Sequence, residues 1–299
     1  METVAVDYRK KGVGFYYIYK ALAHPEHNGY VQPFNLQERL LHVAEAKRTL
    51  GSSIEWICDN MQNEFKQALG GAPNSQFVID PDGKIISASS WSNPTGLRET
   101  LAGLVGEVAP PTTIAELGLK PLPPPRLAAT GVIARPQMPS SMRAILVKPL
   151  PSLEPYYVKL RAEVDSGFMQ EGLGWLYLGF HLDPLLGVHW NNLAPPLEFS
   201  IETPEGLCIA SSRGLAPVVK TEADADPREF LLGLEWDSKI LSRANFNKAE
   251  LILVVNYYAC HDNGWCKPFK QRYHIQLVPD RNAGSVRSRG RPDGGFRNR

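Results

Sequence analysis

The sequence predicts a two-part protein, an α/β unit followed by an all-β unit. Three observations carry this. Up to residue 106, short β-branched and aromatic runs alternate with helical apolar periods. From 107 to 152 proline is dense, at Pro110, Pro111, Pro121, Pro123, Pro124, Pro125, Pro136, Pro139, Pro149 and Pro151. From 153 to 279 only strand-like runs remain, separated by turn residues.

The 299 residues suffice for one large or two ordinary domains. Apolar content of 43 % and charged content of 21 % are those of a soluble globular chain. A net charge of +1 argues against a general nucleic-acid footprint. No apolar stretch reaches the roughly 20 residues of a membrane helix. The N-terminus lacks the basic patch and apolar core of a signal peptide. Four cysteines in a chain of this length do not make a disulfide scaffold.

In the first part, 13–19 reads as a strand and 23–30 as a polar loop. Asn35 and Glu38 form a capping box ahead of a helix. Its expected apolar face is Leu36, Leu40, Val43, Ala44 and Leu50, and Gly51 stops it. A second strand is expected at 54–58 and a helix at 62–69, broken by Gly70-Gly71-Ala72-Pro73. Strands 77–79 and 84–86 flank the turn Asp80-Pro81-Asp82-Gly83. Asn93-Pro94 opens a last helix with Leu97, Leu101, Leu104 and Val105. The order predicts two parallel strands joined by a crossover helix, plus an antiparallel hairpin. That is the later part of a thioredoxin-type layer.

Residues 15–19, Ala23-His24-Pro25, Gly29-Tyr30, Arg39-Leu40, 59–63, Ala72-Pro73 and 77–80 resemble the iodothyronine deiodinase family. The likeness covers roughly residues 5–105 and implies a thioredoxin fold. It also implies an active-site role for His24, and for Pro73 as the proline facing the redox centre. In that family a strand, a selenocysteine- or cysteine-bearing turn and a helix come before the first strand read here. No cysteine precedes Cys58, and Leu22 stands where the family has a glutamate. The expectation is a truncated thioredoxin-like domain over 1–106 that has lost its nucleophile, or one whose nucleophile lies upstream of Met1. Cys58, inside a strand, reads as a buried structural thiol.

Residues 107–152 read as a semi-rigid spacer with one helical turn at 113–119, a partner-binding Pro motif being the alternative. Beyond it, strands are expected at 157–164, 174–182, 197–202, 208–211, 229–236, 251–258 and 271–278. Seven short strands suggest a β-sandwich over 153–279. Trp175, Trp190, Trp236 and Trp265 read as core by default, Cys208 as inert in an apolar strand, and His181 and His189 as lacking ligand spacing. The Arg-rich tail, 280–299, should be disordered, with weak binding to nucleic acid or an anionic surface as the alternative.

The chemistry concentrates at 257–268. The run 251–255 reads as a strand buried on both faces. Asp262-Asn263-Gly264 reads as a three-residue hairpin loop with Gly264 in the left-handed region. His261 then pairs with Trp265, and Cys260 falls opposite Cys266. Opposed residues sit about 4.5–5.5 Å apart at Cα, inside the disulfide window of about 4.4–6.8 Å. Pro268 is expected to stop the ladder. Three readings stay open. The pair is a structural disulfide or two reduced thiols; or an exchangeable dithiol, with Lys267, Lys270 and His261 favouring a thiolate and Asp262 opposing it; or, more weakly, part of a metal site with His261 or His274.

Tyr258, Cys260, Gly264, Cys266 and Pro268 are similar to the motif of the N-terminal periplasmic domain of the thiol–disulfide interchange protein DsbD. That domain is an immunoglobulin-like sandwich whose two cysteines pass electrons to periplasmic partners. The resemblance implies a thiol–disulfide redox protein with Cys260 and Cys266 as the exchanging pair and no cofactor. Its partner would be a thioredoxin-like or other thiol–disulfide protein, in an extracytoplasmic compartment although no signal peptide is read. The alternatives are a non-catalytic interaction protein with a permanent disulfide, and a deiodinase-like enzyme with an upstream nucleophile.

Overall fold

The computed structural model describes all residues except 24, 26–28, 124, 126–127, 238, 240–247 and 284–299. The chain divides into two compact units. One comprises Met1–Ala21 and Asn35–Pro124, the other Leu22–Phe34 and Pro125–Arg299.

The first unit runs α1 (Glu2–Arg9), β1 (Tyr16–Tyr19), α2 (Leu36–Leu50), β2 (Glu55–Cys58), α3 (Glu64–Leu69), β3 (Gln76–Ile79), β4 (Ile85–Ser89), α4 (Pro94–Val105) and α5 (Ile114–Leu117). β1 and β2 are parallel, Tyr16 opposite Glu55 through Tyr19 opposite Cys58, and α2 lies between them in sequence. β3 and β4 form an antiparallel hairpin. Among the described residues that hairpin is not hydrogen-bonded to β1 and β2, so the single layer expected from the sequence is two separate pairs. α1, not foreseen, helps explain this. Val78 of the hairpin packs with Val4 and Tyr8 of α1 and with Leu97 and Leu101 of α4, in a small core of their own.

The caps of α2 are as expected: the Asn35 side chain accepts from the Glu38 N–H, and Gly51 is left-handed at φ +60°. Its buried face is not. Glu38, Arg39, His42 and Glu45 are buried, while Leu36, Leu40, Leu41 and Leu50 are 42–52 % exposed. The buried polar groups have partners from other segments or the same helix, which makes burial tolerable. Arg39 donates to the Asp59 carbonyl at 3.2 Å and to that of Asn60. The Tyr19 hydroxyl and His42 Nδ1 lie 2.8 Å apart. Arg48 forks onto Glu45 with two bonds of 2.7 Å.

The stretch 107–152 is not a free spacer. Its first part belongs to the first unit: the Thr112 N–H donates to Asp7 at 3.1 Å, and a capping box from Thr113 starts α5. Its second part belongs to the second unit. The N–H groups of Gly131, Val132 and Ile133 donate to the Asp226 carboxylate at 2.6–3.0 Å. Then β5 (Met142–Pro149) enters the large sheet. The prolines flank this strand or end it, and none interrupts 142–148, so the density of proline around it hid the strand.

The second unit continues with β6 (Val158–Asp165), α6 (Ser166–Glu171), β7 (Leu173–Leu182), β8 (Val188–Asn191), β9 (Glu198–Glu202), β10 (Leu207–Ile209), β11 (Arg213–Leu215), β12 (Ala223–Asp224), β13 (Arg228–Trp236), β14 (Glu250–His261) and β15 (Trp265–Pro279). With β5, these make an eleven-stranded sheet among the described residues, in the order β10-β13-β7-β6-β5-β15-β14, and β14 then pairs with both β9 and β8. Every pairing in it is antiparallel. β5 serves both halves: Met142–Ala144 pairs with β6, and 145–149 pairs with β15. The halves face each other. Phe199 of β9 lies 5.8 Å from Phe180 of β7 and 4.7 Å from Phe230 of β13, centroid to centroid. The Tyr273 hydroxyl of β15 donates to the Val158 carbonyl of β6 at 2.7 Å.

β14 alternates rather than burying both faces: Leu251, Leu253, Val255 and Tyr257 are inside, while Ile252 and Val254 are half-buried. Four strands escaped the sequence reading, β5, β8, β11 and β12, three of them with four residues or fewer.

A buried ion pair closes the side of the sheet at β8, β12 and β13. Asp224 is fully buried, and Arg228 forks onto it at 2.8 and 2.9 Å. Asn192 donates to the same carboxylate at 2.6 Å. Burial pushes the Asp224 carboxyl up, but the bonds from Arg228 and Asn192 prevail and hold it below the usual carboxylate value. Its stabilisation is therefore complete above the unfolded value of about 3.9 and lost as pH falls through the lower folded value. Asp224→Asn, which leaves a buried guanidinium without its counter-charge, is expected to cost about 3–5 kcal/mol in urea unfolding at pH 7. Leu40→Gln, on the exposed face of α2, should stay within about 0.5 kcal/mol of wild type in the same experiment.

Candidate functional site

β14 and β15 pair in register over twelve residue pairs, from Glu250–Gln276 to His261–Trp265. The loop is Asp262-Asn263-Gly264, with Gly264 at φ +92° and its N–H on the His261 carbonyl at 2.9 Å. A residue with a Cβ adopts that conformation only under strain, so glycine fixes the loop length and with it the register. Cys260 lies directly opposite Cys266 with Cα atoms 4.0 Å apart, and the two form a disulfide.

Side chains alternate along each strand, and this sorts the neighbours of the sulfurs. Tyr257, Ala259 and His261 face one side; Tyr258 and Cys260 face the other. The two cysteines are unequally exposed as residues, Cys260 being 7 % exposed and Cys266 open to solvent. β8 runs along the far edge of β14, with Ala259 opposite Trp190, Cys260 opposite His189 and His261 opposite Val188. Cys266, Cys260 and His189 therefore form one row across three adjacent strands. His189 Nδ1 lies 3.5 Å from a carboxylate oxygen of Asp262 in the loop.

Two groups expected beside the sulfurs are on the opposite face. His261 stacks on Trp265 at 5.3 Å, and its Nδ1 accepts from the Asn263 N–H at 2.9 Å. Lys267 lies over the rings of Trp265 and Phe269 at 5.1 and 5.2 Å and pairs with Glu154 at 3.0 Å. The period of two puts residues 265, 267 and 269 on one face, and 266, 268 and 270 on the other. Only Lys270 keeps the expected side. Pro268 does not stop the ladder: it sits opposite Tyr258, and β15 runs on to Pro279. β5 joins that edge of β15 only from Tyr273, so the missing N–H leaves no partner wanting.

The other site residues lie elsewhere. Pro73 belongs to the first unit and is exposed, in a loop whose Gly70 and Ala72 carbonyls accept from Lys20 Nζ at 3.2 and 2.9 Å. The peptide before it is trans, the cis X–Pro bond among the described residues being Ala109–Pro110. His24 and most of the Arg-rich tail lie outside the described residues. His274 Nδ1 pairs with Glu250 at 2.8 Å, at the end of the hairpin remote from the sulfurs. Among the described residues, no group of three His, Cys, Asp or Glu is placed to hold a metal ion. Nor is any helix there long and apolar enough to cross a membrane. Cys208 is exposed on β10, not buried in an apolar strand, because Leu207 takes the inward position. Cys58 is half-buried at the end of β2, and burial pushes its thiol up, with Arg39 partly offsetting this.

The neighbour missed in the sequence is His189. A signal was present in the alternation Val188-His189-Trp190-Asn191, apolar then polar, but four residues between turns are too few to stand out. In comparisons with known proteins, no family model matches the chain and no curated protein matches it.

Thiol accessibility can be read directly. Under iodoacetamide at pH 8 without reductant, Cys208 should be alkylated first and Cys58 more slowly. Cys260 and Cys266 should be modified only after reduction, as peptide mass spectrometry would show.

Proposed function

We propose that the second unit is a thiol–disulfide exchange module, an immunoglobulin-like sandwich of the kind found at the N-terminus of DsbD. The first unit, in this reading, is a thioredoxin-like domain, and the exchanging sulfurs are those of the second unit. The observation that carries the proposal is the unequal exposure of two disulfide-bonded cysteines at a hairpin tip. Exchange proceeds by attack of an outside thiolate on one sulfur, with the other as leaving group, through a mixed disulfide. Exposed Cys266 is the sulfur a partner's thiolate can reach, and buried Cys260 is the one that leaves. The partner this chemistry requires is a protein dithiol or disulfide.

A purely structural role is less well supported. The bond closes a loop with a sequence separation of only 6. A loop that short contributes about 2 kcal/mol in the chain-entropy account, the low end for a native disulfide. The twelve-pair ladder already holds the register.

Two measurements test the proposal. Equilibration with thiol redox buffers should give a reduction potential above about −300 mV; a lower value is that of a permanent disulfide and would overturn it. In a background of Cys58→Ser and Cys208→Ser, Cys260→Ser should let the Cys266 thiolate displace thionitrobenzoate from a thioredoxin-fold protein whose single active-site cysteine carries it as a mixed disulfide, giving a covalent complex visible on a non-reducing gel. Cys266→Ser in the same background, which leaves the buried sulfur of the pair, should trap far less.

A further inference from the structure

We infer that His189 is the proton donor and acceptor for Cys260 during exchange; this rests on the redox reading of the hairpin. Directly opposed residues of an antiparallel pair point to the same face, with Cβ atoms about 4.5–5.5 Å apart. Cys260 has two such neighbours. One is Cys266, its disulfide partner, and the other is His189 on β8. The sulfur of Cys260 is largely out of solvent, and a thiolate formed there without a counter-charge or proton is costly. Imidazole is the side chain suited to supplying that proton near neutrality.

The surroundings of His189 fit this role. Its side chain is 23 % exposed, so the ring can exchange protons with solvent while bordering a buried sulfur. The Asp262 carboxylate faces Nδ1 from the loop and orients the ring, as carboxylates do for catalytic imidazoles. From β14, Cys260 shares its face and His261 points to the other, stacked on Trp265. From β15, Cys266 and Lys270 are on the same face of the sheet. From β12, Asp224 is opposite Trp190 and is taken up by Arg228.

In the reducing direction, a partner thiolate attacks Cys266 Sγ. The Cys260–Cys266 bond breaks, and its electron pair leaves on Cys260. The His189 imidazolium gives its proton to that thiolate and becomes neutral. The partner's second thiolate then attacks the mixed disulfide and releases the Cys266 thiolate, which solvent protonates. The partner dithiol is oxidised to a disulfide, and the hairpin pair gains two electrons and two protons. In the oxidising direction, neutral His189 takes the Cys260 proton, and the resulting thiolate displaces the partner from Cys266.

The test is the rate of reduction by dithiothreitol between pH 5 and 9, divided by the reductant's thiolate fraction. In wild type the corrected rate should be higher at the acid end of that interval than at the alkaline end. His189→Gln and His189→Asn should both give a flat profile, slower at pH 6 by about ten-fold. That is below the usual contribution of general acids, because thiolates already leave well. His261→Gln should keep the wild-type shape. If His189→Gln and His189→Asn retain the wild-type profile while the potential is that of an exchangeable pair, the role of His189 is overturned and the redox module stands. A potential below about −300 mV removes the module itself.

Discussion

The register of β14 against its neighbours is the constraint on which the second unit depends. β14 pairs with β15 along its whole length, and its other edge passes from β9 to β8 partway along. A slip of one residue in either ladder would turn every side chain to the other face. Leu251, Leu253, Val255 and Tyr257 would leave the core, Cys260 would lose Cys266, and the row to His189 would dissolve. The inward packing of the apolar set and the outward placement of the sulfurs are thus one geometric fact. The left-handed Gly264 anchors it at the tip, and the aromatic contacts of Tyr257, Trp265 and Phe269 anchor it behind the tip.

The second unit also buries charge on the outward side of β6, and each charge has a partner. Arg161 bonds Glu163 at 2.5 Å and the Ala283 carbonyl at 2.9 Å. Lys159 donates to the Tyr156 carbonyl at 2.7 Å, faces Asp183 at 3.7 Å and lies over the Phe34 ring at 4.9 Å. Phe34 comes from the early segment 22–34, which explains why that segment groups with the sheet rather than with its neighbours in sequence. Such pairs recover little of their desolvation cost, so their effect is on where the covering segment sits more than on net stability.

What the sequence made legible is what short-range chemistry determines. The hairpin loop, its register and the facing cysteines follow from Asp262-Asn263-Gly264 and the period of two. The caps of α2 follow from Asn35, Glu38 and Gly51, and most long strands were found within a residue or two until the hairpin lengthened them. The rest depended on distant partners. The buried face of α2 is set by Tyr19, Asp59 and Asn60, which no helical period can report. β8 and β12 are too short to stand out, and β5 was masked by the prolines around it. The faces of Lys267 and His261 were legible in principle: odd and even positions counted outward from Cys266 would have placed both away from the sulfurs.

β5 gives three residues to one half of the large sheet and five to the other. The two halves consequently share a common spine rather than meeting as separable layers. Fraying at either end of that spine removes hydrogen bonds from both, and amide protection across the halves should rise and fall together, as a single cooperative body.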